Sequence, residues 1–193
     1  MLHKLSLIVL SVVMLSACTT MKVAKFDPET NRFPTKNKAT IVKSDDVDLD
    51  SMNDLLLMPE NDFVQGQLKN INYFKETMTY EDLEIRIVQN DLSDKVPSVT
   101  DRIGINKAYK AYKPFLWFRI DSRSEGNKSY VQFILTNPSN LEDIFIAEQY
   151  LDYVWGVNDQ TTWYPLFNAV VDYIEQQSNT WTPADAEYKQ ATK

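Results

Sequence analysis

Phe115-Leu116-Trp117-Phe118-Arg119-Ile120 and Tyr130-Val131-Gln132-Phe133-Ile134-Leu135 are two runs rich in aromatic and β-branched residues, separated by the polar Ser122-Arg123-Ser124-Glu125-Gly126-Asn127-Lys128. Two such runs around a short polar break read as a β-hairpin. Asn137-Pro138-Ser139-Asn140 supplies the next turn, and the alternating stretch 144–155 reads as a third strand. Turns this short leave no room for a crossover, so the three strands form an antiparallel meander. One face of a meander needs cover. The stretch after Gly156, capped near Thr161 and running 163–177 with Phe167, Val170, Val171 and Ile174 on one side, is an amphipathic helix that can provide it.

Working back toward the amino terminus, Asp101 closes Ser98-Val99-Thr100-Asp101, a capping sequence for a helix over 102–112 with Ile105, Ala108, Ala111 and Tyr112 inward. Thr79-Tyr80-Glu81-Asp82 has the form of a capping box ahead of Leu83, Ile87 and Val88. The same stretch, Leu83-Glu84-Ile85-Arg86-Ile87, also alternates as a strand does, and the capping box favours helix. Tyr73-Phe74-Lys75-Glu76-Thr77-Met78 is a strand candidate, and Met58-Pro59-Glu60-Asn61-Asp62 opens a helix whose stripe is Phe63, Val64, Leu68 and Ile71. Ala39-Thr40-Ile41-Val42-Lys43-Ser44 is the first strand. The order strand, helix, strand, helix, helix, meander, helix defines an α/β (α+β) domain: a mixed sheet ending in a three-strand antiparallel meander, with helices packed on it.

Around this domain, taken as 39–178, lie three other segments. His3 and Lys4 precede an apolar run over 5–15, too short to span a bilayer and built like an export leader, which ends at Leu15-Ser16-Ala17-Cys18. That tetrapeptide resembles the lipobox of bacterial lipoproteins. The resemblance implies a thioether to diacylglycerol on Cys18, removal of 1–17, acylation of the new amino terminus and, with Thr19 rather than Asp next, an outer-membrane destination facing the periplasm. An ordinary cleaved secretory signal with an incidental cysteine, or an artefactual start site, is the alternative. Residues 18–38, polar and broken by Pro28 and Pro34, read as the lipidated end and a flexible tether, and 179–193 as a polar tail.

Composition narrows the chemistry. His3 is the only histidine and Cys18 the only cysteine, so the mature chain keeps neither free for Ser-His or Cys-His catalysis or for a Cys/His zinc site. Loss of Lys4 with the leader leaves 19 basic and 27 acidic residues, net −8, which repels nucleic acid and anionic membrane surfaces, and no basic cluster in the sequence offsets it. The Asp-x-Asp-x-Asp spacing of Asp46, Asp48 and Asp50 fails as a calcium loop, because Ser51 and Leu57 stand where glycine and glutamate belong. Gly126-Asn127-Lys128-Ser129 fails as a phosphate loop, because Asp121 stands at its first glycine. No Ser-x-x-Lys or Gly-x-Ser-x-Gly occurs, and no cofactor or resident metal is expected. Glu142, Asp143, Glu148 and Asp152 surround the third meander strand, where surface solvation explains them better than acid/base work. Trp117, Trp155 and Trp163 are candidate partner-binding aromatics, set against core packing.

The element order, carried by 63–74, 107–118 and 163–172, resembles the α/β domain of lipoproteins related to the curli-secretion protein and the penicillin-binding-protein activators, a fold also found at the amino terminus of TolB. The resemblance implies a lipid-anchored accessory domain that docks on an envelope protein. No segment beyond the meander matches the pore-building insertions of the curli-secretion relatives. Two functions of different class follow. One is a non-catalytic interaction module, of which an immunity lipoprotein against a basic toxin is a version. The other is a small carboxylate-dependent hydrolase of peptidoglycan or glycan, which would need two converging acids, one with a raised pKa.

Overall fold

A computed structural model describes residues 26–151 and 159–181. Its centre is one six-stranded mixed sheet in the order β1-β6-β5-β4-β2-β3. In chain order these are β1 (Thr40–Ser44), β2 (Leu56–Leu57), β3 (Thr77–Met78), β4 (Leu116–Glu125), β5 (Lys128–Asn137) and β6 (Glu142–Tyr150). The helices are α1 (Asp62–Ile71), α2 (Tyr80–Gln89), α3 (Arg102–Ala111) and α4 (Tyr164–Gln177). The meander is antiparallel, with Trp117 opposite Thr136 and Glu125 opposite Lys128. Gly126 makes the tight turn between β4 and β5 at φ 57, a conformation glycine adopts without penalty. β2 runs parallel to both β3 and β4.

Alternation along the strands divides the interior into two cores on opposite sheet faces. Leu56, Leu116, Phe118, Val131, Phe133, Leu135, Phe145 and Ala147 face α1 and α4. Leu55, Leu57, Phe115 and Trp117 face α2 and α3. α4 is the most buried helix because it lies across the meander, with Phe167 in ring contact with Phe133 at 4.9 Å.

The starts of α1, α2 and α3 have side-chain caps, whereas α4 departs from the cap expected near Thr161: 159–163 is a π-helical turn and the N-cap is Trp163, with no side-chain cap. Thr79 and Asp82 form a reciprocal capping box, so 80–89 is helical and its apparent alternation is secondary. Asn61 accepts from the Val64 N–H and Asp101 from the Gly104 N–H. Three boundaries differ from expectation. The strand expected over 73–78 is reduced to Thr77–Met78, because Asn72 ends α1 at φ 53 and turns the chain, while Tyr73 is buried with its hydroxyl donating to Asp50. β2 was not expected: Leu55-Leu56-Leu57 has no alternation because a parallel strand between two others is covered on both faces. The third meander strand runs 142–150, and the last positions of the expected 144–155 lie outside the described residues.

The packed body also begins before position 39. Asp27 and Arg32 pair as an isolated bridge, and Phe33 is only 1% exposed, inserted between Phe26, Tyr164 and Phe167. The Asn168 amide accepts from the Phe33 N–H at 2.7 Å and donates to its carbonyl at 2.9 Å. Arg32 binds Asp172 and Glu175 on α4. The described part of the expected tether is therefore a strap across α4. At the other end, Asp50 accepts from the Asn179 and Thr180 N–H groups and from Ser178, and Trp181 packs on the core, so the packed body includes these residues past the expected boundary at 178.

Candidate functional site

Helices α2 and α3 cover only the β3-β2-β4 end of their sheet face. The rest of that face belongs to β4, β5 and β6, and alternation there presents Arg119, Asp121 and Arg123 from β4, Tyr130, Gln132 and Thr136 from β5, and Asp143, Glu148 and Tyr150 from β6. Two arginine–carboxylate networks occupy it.

The first lies beside the helices. Arg119 donates to Asp143 at 2.8 Å and to Thr136 at 3.2 Å, and the Thr136 hydroxyl donates to the same Asp143 oxygen at 2.7 Å. Arg102 from α3 approaches that carboxylate at 3.5 Å. Partial burial alone would raise the Asp143 pKa, but the Thr136 hydrogen bond and the two guanidinium groups outweigh it and hold it below the usual carboxylate range. The Arg119 guanidinium lies 5.0 Å from the Trp117 ring centre and that of Arg102 5.9 Å, so both cations border the indole. The Trp117 N–H donates to the Tyr80 hydroxyl at 2.7 Å.

The second network lies nearer the hairpin tip. Arg123 grips Glu148 with two bonds, of 3.0 and 2.8 Å, and Gln132 donates to the same carboxylate at 3.0 Å. Arg123 also binds Glu125 and lies over Tyr130, whose ring meets Tyr150 edge-on at 5.8 Å. The Glu148 side chain is 8% exposed, and its Arg123 hydrogen bonds keep its pKa low although burial opposes them. Asp143 and Glu148 are therefore not solvated surface acids as expected. They are ion-paired, because alternation sends these acids of β6 and the arginines of β4 to the same sheet face, where each pair reaches diagonally across β5. Of the other expected acids, Glu142 is exposed and pairs with Asn140, and Asp152 lies outside the described residues.

The candidate aromatics do not converge. Trp117 is 6% exposed and points into the core beneath α2 and α3. Trp163 is half-buried on the opposite sheet face, against Phe63 and Phe133. Trp117 and Trp163 pack into the two cores on opposite sheet faces and so do not share one platform. Trp155 and Cys18 lie outside the described residues. The arginines were the missed signal: Arg119 and Arg123 share parity with Trp117 on β4, as Glu148 does with Ile146 on β6.

Sequence comparison matches no family model and no curated protein. Among solved structures, the LpoB C-terminal domain from Salmonella enterica aligns with 56% of this chain and 87% of that domain, at 16% identity and a TM-score of 0.37. A likeness at this level assigns neither family nor role.

Proposed function

We propose that this protein is a lipid-anchored cell-envelope component, held at the outer membrane through Cys18, whose domain works as a non-catalytic interaction module in the periplasm. The observation that carries the choice of binding over chemistry is the state of its two central carboxylates. A glycan hydrolase needs one acid kept protonated near neutral pH by burial or by a like charge. Asp143 and Glu148 are each held by an arginine and shifted the other way. The networks instead fix side chains in place on a broad face, as a docking surface requires. The leader, the lipobox resemblance and the absence of a free thiol or imidazole in the mature chain support the same reading.

Cys18→Ala is expected to move the protein out of the membrane fraction. A photo-reactive residue at Asp121, which is exposed on the open face, is expected to crosslink to one specific protein in intact cells. Membrane association unchanged in Cys18→Ala overturns the anchor, and no specific adduct from Asp121 or from other exposed faces overturns the interaction module. An adduct with an incoming toxin identifies the module as an immunity protein.

A further inference from the structure

We infer that the strap over 26–38 is a membrane-facing element that lays the α4 side of the domain on anionic lipid headgroups. The inference rests on the anchoring of Cys18 proposed above and adds an orientation to it.

Three observations support it. The first is length. Positions 19–25 are the only residues between Cys18 and Phe26, which packs on the core and is the first described residue. Eight Cα steps span about 29 Å at full extension, whereas a chain free as far as Ala39 would reach about 75 Å. Docking of Phe33 into the core and of Arg32 onto Asp172 and Glu175 thus removes most of the reach the sequence offers.

The second is charge. Positions 18–38 carry five basic residues against two acidic, net +3, of which the strap over 26–38 holds Arg32, Lys36 and Lys38 against Asp27 and Glu29, net +1, whereas positions 39–193 carry 14 basic and 25 acidic, net −11. An anionic surface attracts the first part and repels the second, so the electrostatic torque turns the strap toward the lipid.

The third is presentation. Lys36 and Lys38 are exposed and carry no ion pair among the described residues, unlike Arg32 and Lys43. They border a recess of about 540 Å³ between the strap and α4, in which Arg32, Lys36 and Lys38 face two acids, Asp27 and Asp172.

The test uses the acylated full-length protein in phosphatidylcholine vesicles with and without phosphatidylglycerol. Because Cys18 is occupied by lipid, a single introduced cysteine takes a fluorophore selectively. Asn37→Cys places it on the strap, and Gln89→Cys places it at the exposed end of α2, on the sheet face opposite α4. A headgroup-bound quencher is expected to quench the Asn37 label several-fold more than the Gln89 label in phosphatidylglycerol vesicles. That excess should be lost when the labelled protein also carries Lys36→Glu and Lys38→Glu, and should shrink in vesicles of phosphatidylcholine alone. Equal quenching at the two positions in phosphatidylglycerol vesicles overturns the inference, as does an excess indifferent to both charge changes. The mass of the mature amino terminus reads acylation separately: an unmodified Cys18 removes the anchor, while an acylated chain with no preferred face removes only the orientation.

Discussion

Phe33→Ala removes a ring that is 1% exposed, with neighbouring ring centres at 4.9, 5.5 and 5.2 Å. A buried aromatic of this kind hides on the order of 200 Å². At about 25 cal/mol per Å², and with the alanine methyl retained, the loss is about 3 to 4 kcal/mol, within the range for Phe→Ala in protein cores. The strap can come away while the sheet and α4 stay folded, so the measured loss is capped by the free energy of strap docking. The expected value is therefore about 3 kcal/mol, or a Tm lower by about 6 to 12 °C, read by denaturant and thermal unfolding of the mature chain followed by circular dichroism. Asn168→Ala deletes the two hydrogen bonds to the Phe33 backbone and should cost about 1 to 2 kcal/mol. In the double variant the costs should fall short of their sum, since a strap already loosened has little left to lose from Asn168. A Phe33→Ala loss below about 1 kcal/mol, or strict additivity with Asn168→Ala, would refute the docked strap.

Other expectations follow from local geometry. Desolvation works to raise the Asp50 pKa, but hydrogen bonds from Ser178, the Asn179 N–H, Tyr73 and Thr180 lower it from 3.8 to about 2. Asp50 thus contributes stability above pH 3.8 that is lost as pH falls through about 2, and Asp50→Asn should flatten that limb of an acid-unfolding curve. Gly66 has open space where a Cβ would stand, so Gly66→Ala in α1 should stabilise by about 1 kcal/mol. In Gly104→Ala the new methyl would overlap the Ser98 carbonyl oxygen, and the same change should destabilise by about 1 to 3 kcal/mol; equal signs in unfolding assays would contradict the close approach. Tyr80→Phe takes away the acceptor of the buried Trp117 N–H and should cost about 1 to 2 kcal/mol by denaturant unfolding.

What could be read from the chain is what local physics decides. The hairpin of β4 and β5 is written in two β-prone runs and one glycine, and the start of α2 in Thr79 and Asp82 alone. What could not be read depends on partners far along the chain. Phe33 stands alone between Arg32 and Pro34, and nothing beside it announces burial; its pocket is made by Tyr164, Phe167 and Asn168. β2 is hidden by its own success, since a strand covered on both faces shows the same leucine run as a buried helix. For Asp143 and Glu148, spacing reveals four acids near one strand, but only register reveals that arginines on β4 neutralise two of them.

The place of β1 at the sheet edge has a consequence for the order in which the protein is made. Its sheet neighbour is β6, about a hundred positions later, and the strap just before it needs α4, later still. As the chain emerges amino terminus first, the strap and β1 have nowhere to bind until 142–177 has followed. The amino-terminal segment is thus first to emerge and among the last to find its native contacts. Closure of the strap on α4 is therefore a late step of folding, and the amino-terminal residues before it stay free to be processed until then.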